Sequence, residues 1–205
     1  MPRFLSIRTS LPIAAGLLAL AVVVVPVSAA SGDTVANARD ATAAFQSPAA
    51  ALAAGYELLT DASDIACIDQ PGMGAMGIHY VKGALVQSGT IDAARPQALV
   101  YERTEGSQLR LVAIEYVTLQ AGWDASHNAP PELFGHKFML TPAGNRYGLP
   151  AFYSLHAWIW KDNPSGMFAM WNPSVSCNAG HDQEADNGAP DTLMNDSMSG
   201  NVPVD

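Results

Sequence analysis

Four residues stand out as able to do chemistry because they interrupt apolar strand patterns. Within Leu109 to Leu119 the alternate positions Leu109, Leu111, Ala113, Val117 and Leu119 form one apolar face, and Glu115 stands in the middle of it. A carboxylate among aliphatic side chains is costly unless it is paired or bound to a cation. His79 alternates with Gly77 and Val81, and His156 alternates with Phe152, Trp158 and Trp160. His136, in Phe134-Gly135-His136-Lys137-Phe138, is a third histidine in an apolar setting. If those strands are neighbours, His79, His136, His156 and Glu115 supply three imidazoles and a carboxylate, a ligand set suited to zinc, copper or non-haem iron. The alternative is a set of dispersed, hydrogen-bonded histidines with Glu115 paired to Arg110, Arg146 or a buried tyrosine.

Other matches carry less chemistry. Gly72-Met73-Gly74-Ala75-Met76-Gly77 fits G-x-G-x-x-G, but a dinucleotide site needs a preceding strand and a following helix, and Ile78-His79-Tyr80-Val81 reads as strand. These glycines are expected to serve a tight turn or a close backbone approach. Ser154 and His156 are side-by-side neighbours on one strand face, and neither G-x-S-x-G nor H-E-x-x-H occurs. The segment Tyr153 to Trp171 carries three of the four tryptophans. Trp158, Trp160, Phe168 and Trp171 are candidates for lining an apolar ligand pocket, with plain packing as the competing reading.

The elements that must position these residues follow from periodicity. Met76 to Val81, Ala98 to Arg103, Leu109 to Leu119, Lys137 to Leu140 and Phe152 to Lys161 read as strands separated by Gly, Pro, Asn or Asp. Thr104-Glu105-Gly106-Ser107 reads as a hairpin turn. Short connections imply an antiparallel sheet. Upstream, Asp33 to Thr60 is Ala-rich, Ser47-Pro48 is suited to opening a helix, and Leu52, Tyr56 and Leu59 recur at helical spacing. The expected fold class is α+β: an antiparallel, curled or barrel-like sheet with one or two N-terminal helices.

The chain has 205 residues, with 10 Lys+Arg against 19 Asp+Glu. Ten scattered basic residues argue against phosphate-backbone recognition, so no nucleic-acid partner is expected. Arg3 and Arg8, the apolar run Leu11 to Val25 and Val27-Ser28-Ala29 read as a secretory signal peptide over residues 1–30. The run is shorter than the roughly 20 residues that span a bilayer, so no membrane span is expected once the signal is cleaved. Residues 31–177 form the expected single secreted or periplasmic domain. Residues 178–205, with six acidic side chains and no Lys or Arg, form an expected disordered acidic tail. In an oxidising compartment Cys67 and Cys177 are expected to pair.

At Pro131-Glu132-Leu133-Phe134-Gly135-His136, at Gly77-Ile78-His79-Tyr80-Val81 and along the tryptophan-rich run, the chain resembles a group of small secreted bacterial proteins. The likeness covers Thr42 to Cys177 and implies a domain family without bringing an activity or ligand. Cupins hold a metal with three histidines and a carboxylate, but this sequence has no His-x-His, so their mechanism is not carried over. Three functions stay open: an exported protein binding a transition metal or small ligand, a metal-dependent enzyme, and a structural or interaction domain.

Overall fold

The runs Met76 to Val81, Ala98 to Arg103 and Leu109 to Leu119 pair in chain order, each with the next, and Phe152 to Ala157 joins them from much further along the chain. The computed structural model describes residues 34–104 and 106–178. The expected signal peptide at 1–30 and all but the first residue of the expected tail at 178–205 lie outside the described residues.

The strands are β1 (Glu57–Leu58), β2 (Cys67–Gln70), β3 (Gly74–Val81), β4 (Ala98–Arg103), β5 (Leu109–Leu119), β6 (Glu132–Leu133), β7 (His136–Lys137), β8 (Met139–Thr141) and β9 (Phe152–Ala157). The main sheet runs β1-β3-β4-β5-β9-β8, with β2 beside β1 on the same edge of β3, and every pairing is antiparallel. The α+β class and antiparallel pairing therefore hold. The barrel-like closure does not: β1 has two residues and β8 three, they lie at opposite ends of the order, and neither edge pairs with the other. The expected strand at Lys137 to Leu140 is split, with β7 leaving to pair β6 in a separate two-stranded sheet. The last expected strand stops at Ala157, four residues short of Lys161.

The hairpin between β4 and β5 turns where expected, with the Thr104 amide donating to Gln108 O at 2.8 Å and Gly106 at φ 82°. Its ladder carries a bulge: Val100 faces Ala113 while Tyr101 faces Leu111, so Val112 is the extra residue. This corrects the expected alternation of β5. Leu111 belongs to one face with Tyr101, Ile114 and Tyr116, whereas Val112 and Ala113 belong to the other with Val100.

The first face is covered by α1 (Val35–Thr42), a 3-10 turn and α2 (Pro48–Ala53). Thr34 caps α1 by accepting from the Asn37 amide, and Pro48 opens α2. Helical spacing through Leu52, Tyr56 and Leu59 overstated α2, which ends at Ala53 and leaves Leu52 exposed. Tyr56 lies beyond it as a buried residue whose hydroxyl donates to Pro96 O. Tyr101 and Tyr116 are fully buried here, and their hydroxyls donate to Phe45 O and Ala93 O at 2.7 Å. Large aromatic bodies thus fill the core while their polar tips fix the helices and the β3–β4 connection to the sheet. Two further short helices, α3 (Gly83–Ser88) and α4 (Gln120–Asp124), had no sequence expectation.

The glycines of the G-x-G-x-x-G match serve backbone approach. A Cβ on Gly74 would meet Asn172 O at 2.1 Å, and one on Gly77 would meet Tyr101 O at 2.7 Å. Both have positive φ, so glycine is required twice over. The approach at Gly74 lets Ala75 bridge Asn172, which fastens the C-terminal segment to β3. Cys67 and Cys177 form a disulfide across 110 residues beside that bridge. Reducing it is expected to lower unfolding free energy by about 4 kcal/mol, since the bond restricts a long loop of the unfolded chain. Urea denaturation with and without reductant checks this, and an unchanged midpoint would count against it.

Candidate metal centre

The second face of the sheet carries Ala75, Val100, Val112, Ala113 and Trp158 as a small apolar cluster, and His79, Glu115 and His156 beside it. Their positions follow from register. His79 pairs Val100, which pairs Ala113; Val81 pairs Ala98, Ala98 pairs Glu115, and Glu115 pairs His156. The two histidine strands are three ladder steps apart, about 14 Å at normal strand spacing. Two features let the rings meet above β4 and β5. Ala98 and Ala113 lie between them with only methyl side chains, and Gly77 lets β3 approach β4 closely.

The resulting cluster is tight. His79 Nε2 lies 3.2 Å from His156 Nε2 and 3.5 Å from Glu115 Oε2, and His156 Nδ1 lies 3.6 Å from Glu115 Oε1. Both imidazoles are 3% exposed and the carboxylate 12%, so all three are largely removed from water. Ser154, which faces Val117 one step along β9, hydrogen-bonds the Glu115 carboxylate, and the backbone of Gly77 hydrogen-bonds the His79 ring. With Nε2 turned toward the cluster, the nitrogen left for Gly77 is Nδ1.

Burial sets the charge states. It pushes the His79 and His156 rings down to about 4; for His79 the nearby Glu115 opposes the fall and His156 adds to it. Burial also pushes the Glu115 carboxyl up, against the opposing effects of His79 and Ser154. At neutral pH the imidazoles are therefore uncharged, the form in which they donate lone pairs to a metal.

Each of the three side chains offers one ligand atom, all within 4.8 Å of one another. Four-coordinate zinc with bonds of 2.0–2.1 Å would separate its ligand atoms by about 3.3–3.4 Å, whereas a six-coordinate ion with the same bonds needs about 2.9 Å. The His79 contacts of 3.2 Å to His156 Nε2 and 3.5 Å to Glu115 Oε2 lie near the tetrahedral edge, while His156 turns its other nitrogen, Nδ1, toward Glu115, so the ring would have to offer one of its two nitrogens to an ion. Beside the cluster opens a cavity of about 320 Å³, whose lining includes His79 and Glu115 and is otherwise mainly apolar. No protein-family model, curated protein or solved structure matches the chain.

The other sequence candidates fall elsewhere. His136 is exposed on β7, its ring 4.0 Å from that of Phe168, so it does not join His79 and His156. The reason is the split strand, which carries His136 away from the main sheet. The proposed aromatic pocket is also corrected. Trp158 packs with Val100 and Val175, Trp160 and Phe168 lie against the helix-side core, and Trp171 joins Ile68, Met76 and Met170. None of the four lines the cavity beside the triad. Trp158 Nε1 donates to Ala169 O and Trp160 Nε1 to Thr42 Oγ1, which accounts for their polar tips by packing alone.

The arginines suggested as partners for Glu115 are engaged otherwise. Arg110 pairs Glu102, which Lys161 also contacts, and this accounts for the buried Glu102 on β4. Arg146 donates to Asp61 at 2.8 Å. Sequence reasoning missed the cavity wall contributed by α3 and by Tyr147 to Pro150, because nothing in those segments marks them as facing one another.

The shifted imidazoles make acid sensitivity predictable. Their folded values lie below the ordinary 6.5, so their contribution to stability is full above pH 6.5 and falls away as pH drops toward 4. Glu115 works the other way, its contribution being present at low pH and lost as pH rises through its raised value. Burial would raise Asp61, but Arg146 and the Ile65 and Ser63 amides hold it below 3.8, so its loss comes at lower pH. Metal-free protein is expected to lose stability between pH 6.5 and 4.5 in denaturant titrations. A His79→Gln/His156→Gln variant should lose less over that interval; an equally steep fall would assign the acid response to other groups.

Proposed function

We propose that the protein is exported and binds one transition-metal ion, best suited to zinc, through His79, Glu115 and His156. The observation that carries this reading is the convergence of two imidazoles and a carboxylate, from three strands, with one ligand atom of each within 4.8 Å of the others. Export is supported by the signal-like residues 1–30 and by the disulfide, which fits an oxidising compartment. Among the described residues no helix is long and apolar enough to cross a membrane.

Three protein ligands with a cavity beside them leave room for water or a further ligand, the arrangement of zinc sites that act on bound molecules. A purely hydrogen-bonded triad is the competing use of the same geometry, since 3.2 Å also suits one ring donating to the other. The two separate on metal content. Protein purified without a His-tag, loaded with zinc and freed of excess is expected to retain one equivalent by elemental analysis. His79→Ala/His156→Ala should retain none, and Glu115→Gln much less than one. Absence of bound metal in the natural chain after reconstitution would leave the hydrogen-bonded triad.

A second measurement follows from the raised Glu115 carboxyl. Metal requires the carboxylate and the free imidazole lone pairs, so binding displaces protons held within the triad. Calorimetry of zinc binding in buffers of different ionisation enthalpy is expected to show proton release that grows as the pH is lowered, because more of the triad is then protonated. Release that does not change with pH would mean that zinc binds without displacing protons from these side chains.

A further inference from the structure

The cavity beside the triad has a composition that constrains what can enter it. Its wall is made by Met76, Val86, Val117, Phe152 and Met170, among others, and contains no Lys or Arg. At about 320 Å³ it sits at the small end of ligand pockets, the size for one compact molecule. An apolar wall favours an apolar body. The charge at the triad then decides the head. A divalent ion with one carboxylate and two neutral imidazoles carries a net single positive charge in a site that solvent barely reaches. Such a charge, little screened by solvent, attracts an anion. With no further acidic side chain lining the cavity, Glu115 being the one that does, that anion would come from outside the chain.

We infer that the cavity holds an apolar molecule with a single anionic head, of the medium-chain carboxylate class, whose head completes the coordination of the metal while its tail lies along β3, β5 and β9. This rests on the metal reading above. It makes the two ligands interdependent. Without metal, an anionic head would meet Glu115 and no cation; with metal, it neutralises the centre. By reciprocity the carboxylate must tighten metal binding by the same factor as metal tightens the carboxylate.

The test uses octanoate as probe, on the mature chain, with zinc loaded to one equivalent and excess removed. Zinc retention is measured first and alone, so that failure of the metal reading is seen separately. Octanoate is expected to bind the zinc form at least tenfold more tightly than the metal-free form, and octylamine to show no such preference for the zinc form. Val117→Phe, which fills the cavity from β5 without touching a ligand atom, should keep its zinc and lose octanoate. Should that variant fail to fold, Val86→Phe fills the same space from α3. Zinc retained with octanoate bound equally in both forms, or not at all, would overturn the inference and leave the metal site standing. Zinc not retained would overturn both. Undiminished octanoate binding in a folded, cavity-filled variant would place the molecule elsewhere and overturn the inference.

Discussion

The burial of one carboxylate between two imidazoles, on a sheet face otherwise made of aliphatic and small side chains, is the constraint that orders the surrounding structure. Charged groups in such a place are tolerated only when each polar atom finds a partner. Here Ser154 serves the carboxylate, Gly77 serves one ring, and the rings and carboxylate serve one another. The cost of bringing them together is met by small residues. Alanines at 98 and 113 clear the space between strands three steps apart, and the glycine at 77 draws β3 against Tyr101 O.

The other face of the sheet performs the work of a conventional core, which frees the triad face from that duty. Tyrosines 56, 101 and 116 fill it, with hydroxyls bonded to backbone carbonyls of the helices and loops they hold. The bulge at Val112 is the pivot between the two tasks. Upstream of Glu115 it turns Leu111 toward the tyrosines and keeps Ala113 with the triad, so a single strand supplies a large apolar residue to one layer and a small one to the other.

Much of this was legible in the sequence, and what was not has physical causes. Strand periodicity located β4 and β5 to the residue and exposed Glu115, His79 and His156 as anomalies, because a polar side chain in an apolar alternation signals itself without knowledge of its neighbours. His136 gave the same local signal and belongs to a different sheet, since pairing is decided by partners far along the chain. The tryptophans looked like a lining because they are close in sequence, yet after Ala157 the chain leaves the ladder and distributes them among three apolar clusters. The bulge had no signature, for it arises from how β4 and β5 meet and not from either strand alone.

The order of the strands along the chain bears on how the centre comes into being. His79 and Glu115 belong to a run of strands, β3 to β5, that are adjacent both in sequence and in the sheet, whereas His156 arrives on β9 after a long excursion. Cys177 comes later still. The final imidazole and the covalent bond are both supplied by the last part of the domain, so the three side chains can meet only when the sheet is assembled through β9.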